Sequence, residues 1–169
     1  MTQPAPTKPD LLGALRSSGD EFARSLRALP PGTFAEGRYE NGWNAREILA
    51  HVASIEWTYP RLLDLPPAGG GQAAAGQQPS QGGSGSINDY NERQVQKRAG
   101  ASVAELLSEF EQNRAATIRA VESADDAVLA RPVRSAGGAE GPLAAVFMAV
   151  AVHHVRGHLR DIIGEGAGS

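Results

Sequence analysis

Apolar residues recur along most of this chain at steps of three and four, the period of a helix that buries one face. In the first such stretch Leu11, Leu12, Leu15, Phe22, Leu26 and Leu29 keep mostly helical spacing, and Pro30-Pro31-Gly32 closes it, which predicts a helix over residues 10–29. The second stripe reads Ile48, Val52, Ile55, Tyr59 and Leu62, with Pro66 expected to end it. Asn44 suits its N-cap, Glu47 completes a capping box, and Trp43 ahead of the cap can pack on Ile48 as a hydrophobic staple. A short helical piece is predicted over 87–97. A third main helix starts at Ser102, with Glu105 as its capping-box partner, and runs on through Val103, Leu106, Leu107, Phe110, Ile118 and Val121. The fourth is predicted from about Pro142, a good first helical residue, to Ile163, with Gly164 just past the end. Residues 143–152 are apolar at every position, so this helix is expected to be the most buried. No segment alternates convincingly with period two, and no repeat is evident.

Residues 66–86 interrupt the helical patterns. They are built almost wholly from Gly, Ala, Gln, Ser and Pro, offer no large apolar side chain, and are read as a flexible connection. Two bundle helices that run parallel need such a span. Residues 124–141 form a second connection, containing Asp125, Asp126, Pro132 and Gly137-Gly138. The organisation expected is one helical bundle over 10–163, with loose ends at 1–9 and 164–169.

Composition narrows the chemistry. A chain of 169 residues fits one domain with a sizeable core. The net charge of −3 and the absence of any Lys/Arg cluster argue against nucleic acid as a partner. No apolar run reaches the roughly 18 residues of a membrane span, and residues 1–9 lack the pattern of a signal peptide, so a cytoplasmic protein with no membrane partner is expected. With no cysteine, the chain has neither a thiolate metal site nor a nucleophilic thiol. Thiol chemistry here would need the thiol as a second substrate.

The four histidines fall on two of the helices: His51 on the second, and His153, His154 and His158 on the fourth. His51 lies at the apolar stripe, between Ile48 and Ile55. On the fourth helix Leu143, Phe147, Val150, His154, His158 and Ile162 follow three- and four-residue steps, so two imidazoles replace core residues. Residues four apart have β-carbons about 5–6 Å from each other, close enough to share an ion. His153 points about 140° away from His158 and is not expected to join them. A lone histidine on an apolar face is ordinarily a satisfied core residue. Three on two facing stripes, each costing roughly 1–3 kcal/mol if unpaired, call for a common explanation. One divalent ion on His51, His154 and His158 supplies it. Imidazole donors suit Zn²⁺, Ni²⁺, Co²⁺ or Fe²⁺, and three protein ligands leave a position open, as in catalytic zinc sites.

These residues also carry a resemblance. Asn-Gly-Trp-Asn-Ala-Arg-Glu-Ile-Leu-Ala-His at 41–51 resembles the second-helix motif of the DinB-like superfamily, which includes the mycothiol-dependent maleylpyruvate isomerase N-terminal domains. His154-Val-Arg-Gly-His158-Leu-Arg-Asp-Ile resembles its fourth-helix motif, and Asp89-Tyr90-Asn91 and Asp125-Asp126…Leu129…Pro132-Val133 look like its intervening segments. The order and spacing of these short motifs, over nearly the whole chain, make the match. The resemblance implies an all-α, up-down-down-up four-helix bundle with a long crossover between the second and third helices, assembled as a homodimer. It implies His51, His154 and His158 as ligands of a divalent metal, Zn or Ni foremost. It further implies a thiol-dependent transferase or isomerase that joins a small-molecule thiol to an electrophilic substrate. The Gly/Gln-rich crossover departs from the family pattern.

Two other uses of the same histidines stay open: hydrolysis by a metal-activated water, and a non-catalytic metal-binding or stress-related bundle. A helical interaction protein in which the histidines are relics is a further class. Glu56, Asp161 and Asn91 are candidate backing or acid–base groups, although a solvated surface residue is the ordinary reading of each. Arg156 and Arg160 could hold an acidic substrate, although exposed helix charges are the ordinary reading of both.

Overall fold

The computed structural model describes residues 4–35, 42–65, 67, 86–135 and 138–163. Nearly all of the segment expected to be a flexible crossover, and the tail 164–169, lie outside the described residues. Helix α1 spans Lys8–Arg27, two residues earlier at each end than the 10–29 the pattern predicts. Thr7 caps it: its hydroxyl accepts from the Asp10 amide at 3.2 Å, and Asp10 accepts from the Thr7 amide. A 3₁₀ turn, Pro31–Ala35, follows the prolines. Helix α2, Ala45–Glu56, starts with the expected box, in which Asn44 accepts from the Glu47 amide at 2.8 Å and Glu47 accepts from the Asn44 amide at 3.1 Å.

Helix α2 stops at Glu56, short of the expected Pro66, and the chain tightens into a 3₁₀ turn over Tyr59–Asp64. Pro60 is the physical reason: it has no N–H for the helical ladder and biases the preceding residue away from helix. Helix α3 is Ser86–Lys97, and α4 is Val103–Ser123 behind the Ser102/Glu105 box. Between α4 and the last helix lie a short helix α5, Asp126–Leu129, and a two-stranded antiparallel ribbon. The ribbon pairs β1, Pro132–Arg134, with β2, Glu140–Pro142, and places Val133 opposite Gly141. Strands of three residues are too short to show a period, which is why the ribbon left no pattern in the sequence.

The last helix is not uniform. It starts as α6, Leu143–Phe147, widens to a π-helical stretch, Met148–His153, and returns to α geometry as α7, His154–Ile163. Contacts fix the helix directions. Arg16 meets Glu122 and Arg27 meets Glu111, so α1 and α4 run antiparallel. Arg46 reaches the Ala101 carbonyl, Asn113 the Ala53 carbonyl and Thr117 the Glu56 carboxylate, so α2 and α4 run parallel. Tyr59 meets Val150 while His51 meets His158, so the last helix opposes α2. The bundle is therefore up-down-down-up, and the parallel pair α2/α4 brackets the long connection.

Two apolar clusters fill the bundle. One includes Phe22, Ile48, Leu49, Phe110 and Ile162; the other includes Leu11, Leu15, Val121, Leu143 and Phe147. Along α4 a polar belt separates them. Arg114 is 4% exposed, Glu56 and Thr117 0%. Arg114 Nε lies 3.0 Å from Glu56 Oε2, which also accepts from the Thr117 hydroxyl at 3.0 Å. Arg114 Nη2 donates to the Ala151 carbonyl at 2.7 Å, and Nη1 reaches the Leu15 carbonyl at 3.4 Å. The guanidinium passes so close to α1 that a β-carbon on Gly19 would sit 3.0 Å from Arg114 Cγ. Burial pushes the Glu56 carboxyl up to about 7, against the opposing pull of Arg114 and Thr117.

Breaking a buried ion pair on one side costs about 3–5 kcal/mol. An Arg114→Met variant should lose that much at pH 9, measured by urea unfolding, and less at pH 6. The sign follows from Glu56: protonated, it needs no cation, and ionised without Arg114 it is a bare buried charge. A destabilisation that does not grow with pH would show that Glu56 is not the partner that matters.

Candidate functional site

His51 comes from the buried face of α2, and His154 and His158 from the first turns of α7. Nitrogen atoms of the three rings all lie within 4.8 Å of one another. The Nε2 atoms of His154 and His158 are 2.9 Å apart, and ring centroids are 5.0 Å apart for His51 and His158. His51 and His158 are buried, while His154 is the most accessible of the three. His153, one residue away, is exposed and points elsewhere, as its position on the helix predicts.

Neighbours hold the rings. The Trp43 ring packs with its centroid 5.2 Å from that of His51, and its Nε1 donates to Glu92 at 2.9 Å, tying α3 to this corner. Asp161 Oδ2 lies 3.5 Å from His158 Nδ1. Among the described residues no hydrogen-bond partner is found for the buried His51 Nδ1.

Burial makes all three rings poor bases. It pushes His51 down to about 4, helped by His154, and His158 down to about 2, helped by His154 and His51. His154 is lowered by burial too, against the pull of the Val150 backbone and the charge of Asp161. At neutral pH the cluster is thus a set of uncharged imidazoles with nitrogen lone pairs directed into a small space. Two neutral rings at 2.9 Å hold one proton between their Nε2 atoms, and an ion that takes both lone pairs replaces it.

Of the other residues singled out from sequence, Asp161 stands at the cluster. Glu56 does not have the solvated surface position expected of it; it is sealed in the ion pair with Arg114. Asn91 is half-buried on α3. Arg156 pairs with Glu21 at 3.1 Å, and Arg160 is exposed. Sequence reasoning passed over Tyr59 as a hydrogen-bonding group and Arg114 altogether. A signal for Arg114 was present: it falls three to four residues from Phe110 and Thr117 on the buried face of α4.

An up-down-down-up helical bundle with three convergent histidines defines a class, and comparison with known proteins gives the family. The sequence matches the mycothiol maleylpyruvate isomerase N-terminal domain over residues 15–163, and the chain belongs to that family. Among solved structures it is similar to the mycothiol-dependent maleylpyruvate isomerase, at TM-score 0.67 and 19% identity over 96% of this chain. It is likewise similar to a histidine-to-alanine mutant of that isomerase, at TM-score 0.70 and 17% identity over 96% of this chain. At these identities the likeness concerns the fold. In both cases the chain spans 63% of the other chain's length. No curated protein matches the sequence. No helix among the described residues is long and apolar enough to cross a membrane.

The depressed histidines make acid sensitivity a direct test of the cluster. A ring neutral in the fold and free to protonate when unfolded stabilises fully above about pH 6.5, and that contribution falls by about 1.4 kcal/mol per pH unit below it. Chelator-treated protein should therefore lose urea resistance between pH 7 and 5.5, and His158→Gln should flatten the loss. An unchanged slope in the variant would mean that His158 is not held neutral.

Proposed function

We propose that this chain is a metal-dependent, thiol-using transferase or isomerase domain in which His51, His154 and His158 hold one divalent ion, Zn²⁺ or Ni²⁺ foremost. The observation that carries the proposal is the convergence of three neutral imidazoles within 4.8 Å at the meeting of α2 and α7. The donor set fits such an ion: borderline nitrogen ligands, no competing thiolate, and three positions filled by protein. An outer partner fits as well. A ligating histidine ordinarily passes its second N–H to a carbonyl or carboxylate, and Asp161 stands in that place for His158.

When bound, the ion supplies the charge that keeps a small-molecule thiol as thiolate at neutral pH. The chain's own residues do the rest. The three rings would hold the ion, with His154 on the side that opens toward solvent. Trp43 and the apolar neighbours of His51 close the inner side against water. Without cysteine, the chain must receive its sulfur from a cosubstrate, and family membership favours mycothiol or a similar small thiol, with an electrophile as second substrate.

Elemental analysis of protein purified without chelator should find one metal per chain. His154→Ala or His158→Ala should abolish it, and His153→Ala should leave it. Chelator should lower the melting temperature, since free metal at about 100 times its dissociation constant adds roughly 2.7 kcal/mol. The metal-loaded protein should then consume a small thiol in the presence of an electrophile. Stoichiometric metal with no turnover across a thiol panel would move the reading to a non-catalytic metal-binding bundle, and metal-free protein would overturn the site itself.

A further inference from the structure

Two helical glycines stand next to buried polar chemistry, and only one of them has a packing reason. Gly19 on α1 makes room for Arg114, since a β-carbon there would sit 3.0 Å from Arg114 Cγ. Gly157 on α7 makes room for no described residue. A β-carbon at Gly157 would meet nothing within 4 Å, the side chains three and four residues away included. Its backbone supplies no reason either, because it lies in regular α-helix and is not among the glycines of positive φ. Glycine inside a helix weakens that helix relative to alanine, so stability alone would not select it here. Gly13 on α1 is equally open, but it is exposed and has only solvent beside it, whereas Gly157 is half-buried.

Residues three and four apart are neighbours on a helix surface. Around Gly157 those neighbours are His154 before it and Arg160 and Asp161 after it. His154 is the most accessible of the three convergent histidines, and Asp161 stands behind His158 with Oδ2 3.5 Å from its Nδ1. Arg160 is exposed. Gly157 therefore lies on the rim where the histidine cluster meets solvent. We propose that Gly157 is a specificity-determining residue: its missing side chain leaves a recess in α7 beside His154, and the small-molecule thiol lies in that recess when its sulfur reaches the histidine centre. A side chain at 157 would occupy the same space. The guanidinium of Arg160 and the carboxylate of Asp161 on the rim suit a polar thiol that carries both hydrogen-bond donors and acceptors. The proposal rests on the thiol-using metal centre proposed above and adds where the thiol is accommodated.

Co²⁺-loaded protein tests this, because the visible spectrum of the ion reports each new ligand. N-acetylcysteine serves as the larger thiol probe and azide as a small anion. Gly157→Ala and Gly157→Leu should take up Co²⁺ as the wild type does. N-acetylcysteine should bind Gly157→Leu about tenfold more weakly or worse, the scale of overfilling a packed space, with Gly157→Ala in between. Azide is too small to fill the recess and should bind all three alike. Gly157→Ala should also resist urea better than the wild type while binding the thiol less well, a divergence that a purely structural role would not give. Gly13→Leu, at the exposed helical glycine, should leave thiol affinity unchanged. Where Gly157→Leu fails to fold, Gly157→Ala carries the comparison. Equal N-acetylcysteine affinity in the wild type and the folded Gly157 variants overturns the proposal. So does equal weakening of azide and thiol, or a Gly157→Ala protein that loses Co²⁺ or urea resistance, since the glycine then serves the centre or the helix itself. A wild type that takes up no Co²⁺ defeats the metal-site reading and this proposal with it, whereas a Co²⁺-loaded wild type whose thiol affinity the variants share defeats the role of Gly157 alone.

Discussion

The Arg114 guanidinium lies inside the bundle with five N–H donors and almost no water to receive them. Every helix around it has adapted. Helix α2 sends in Glu56, and α1 offers the Leu15 carbonyl and the bare backbone of Gly19. The last helix presents the Ala151 carbonyl from within its π-helical stretch. A regular α-helix commits its interior carbonyls to its own amides, so a helix that must also receive side-chain donors gains from a wider turn. Among the described residues Glu56 Oε1 and Arg114 Nε find no hydrogen-bond partner, and each further donor or acceptor left unmatched would cost about 1–3 kcal/mol. The belt is therefore a strong constraint on how α1, α2, α4 and the last helix sit together, even though buried ion pairs are often no more stabilising than apolar packing.

The same wide turn reaches the histidines. His154 opens α7 directly after it, and His158 follows one turn later on the same face. Their opposition to His51 depends on α2 and the last helix running antiparallel in the bundle. The histidine cluster and the Arg114 belt are thus neighbours on one piece of backbone. The belt holds the π stretch from the α4 side, and Tyr59 holds it from the α2 side.

Much of this was legible in the sequence, because the helix starts are written in local chemistry. Asn44/Glu47 and Ser102/Glu105 are boxes whose partners lie three residues apart, and they fix α2 and α4 without reference to the rest of the fold. The histidines were legible for a similar reason: His154 and His158 are four apart on one helix, and His51 interrupts a clear apolar stripe. The features that escaped depend on partners distant in sequence or on exceptions to regular geometry. Up to His153 the π stretch is composed of ordinary apolar residues, and only the buried donors from Tyr59 and Arg114 distinguish it. Glu56 looked solvated because its neutralising partner lies 58 positions away, the difference between 114 and 56. Pro60 was a readable signal for the early end of α2, outweighed by the apolar stripe that continues through Tyr59 and Leu62.

Three imidazoles are neutral ligands, so a divalent ion held by them keeps its full formal charge in a partly buried place. Glu56 offers no compensation, since Arg114 occupies it. Asp161 stands behind His158 at 3.5 Å from its Nδ1, where it can accept that ring's proton but supplies only one negative charge, and its side chain is 39% exposed and screened by water. Such a site favours an anionic ligand from outside the chain over a neutral one, because the low-dielectric wall formed by Trp43 and the α2 core strengthens the attraction. A thiolate meets that demand with a soft donor that the chain itself lacks.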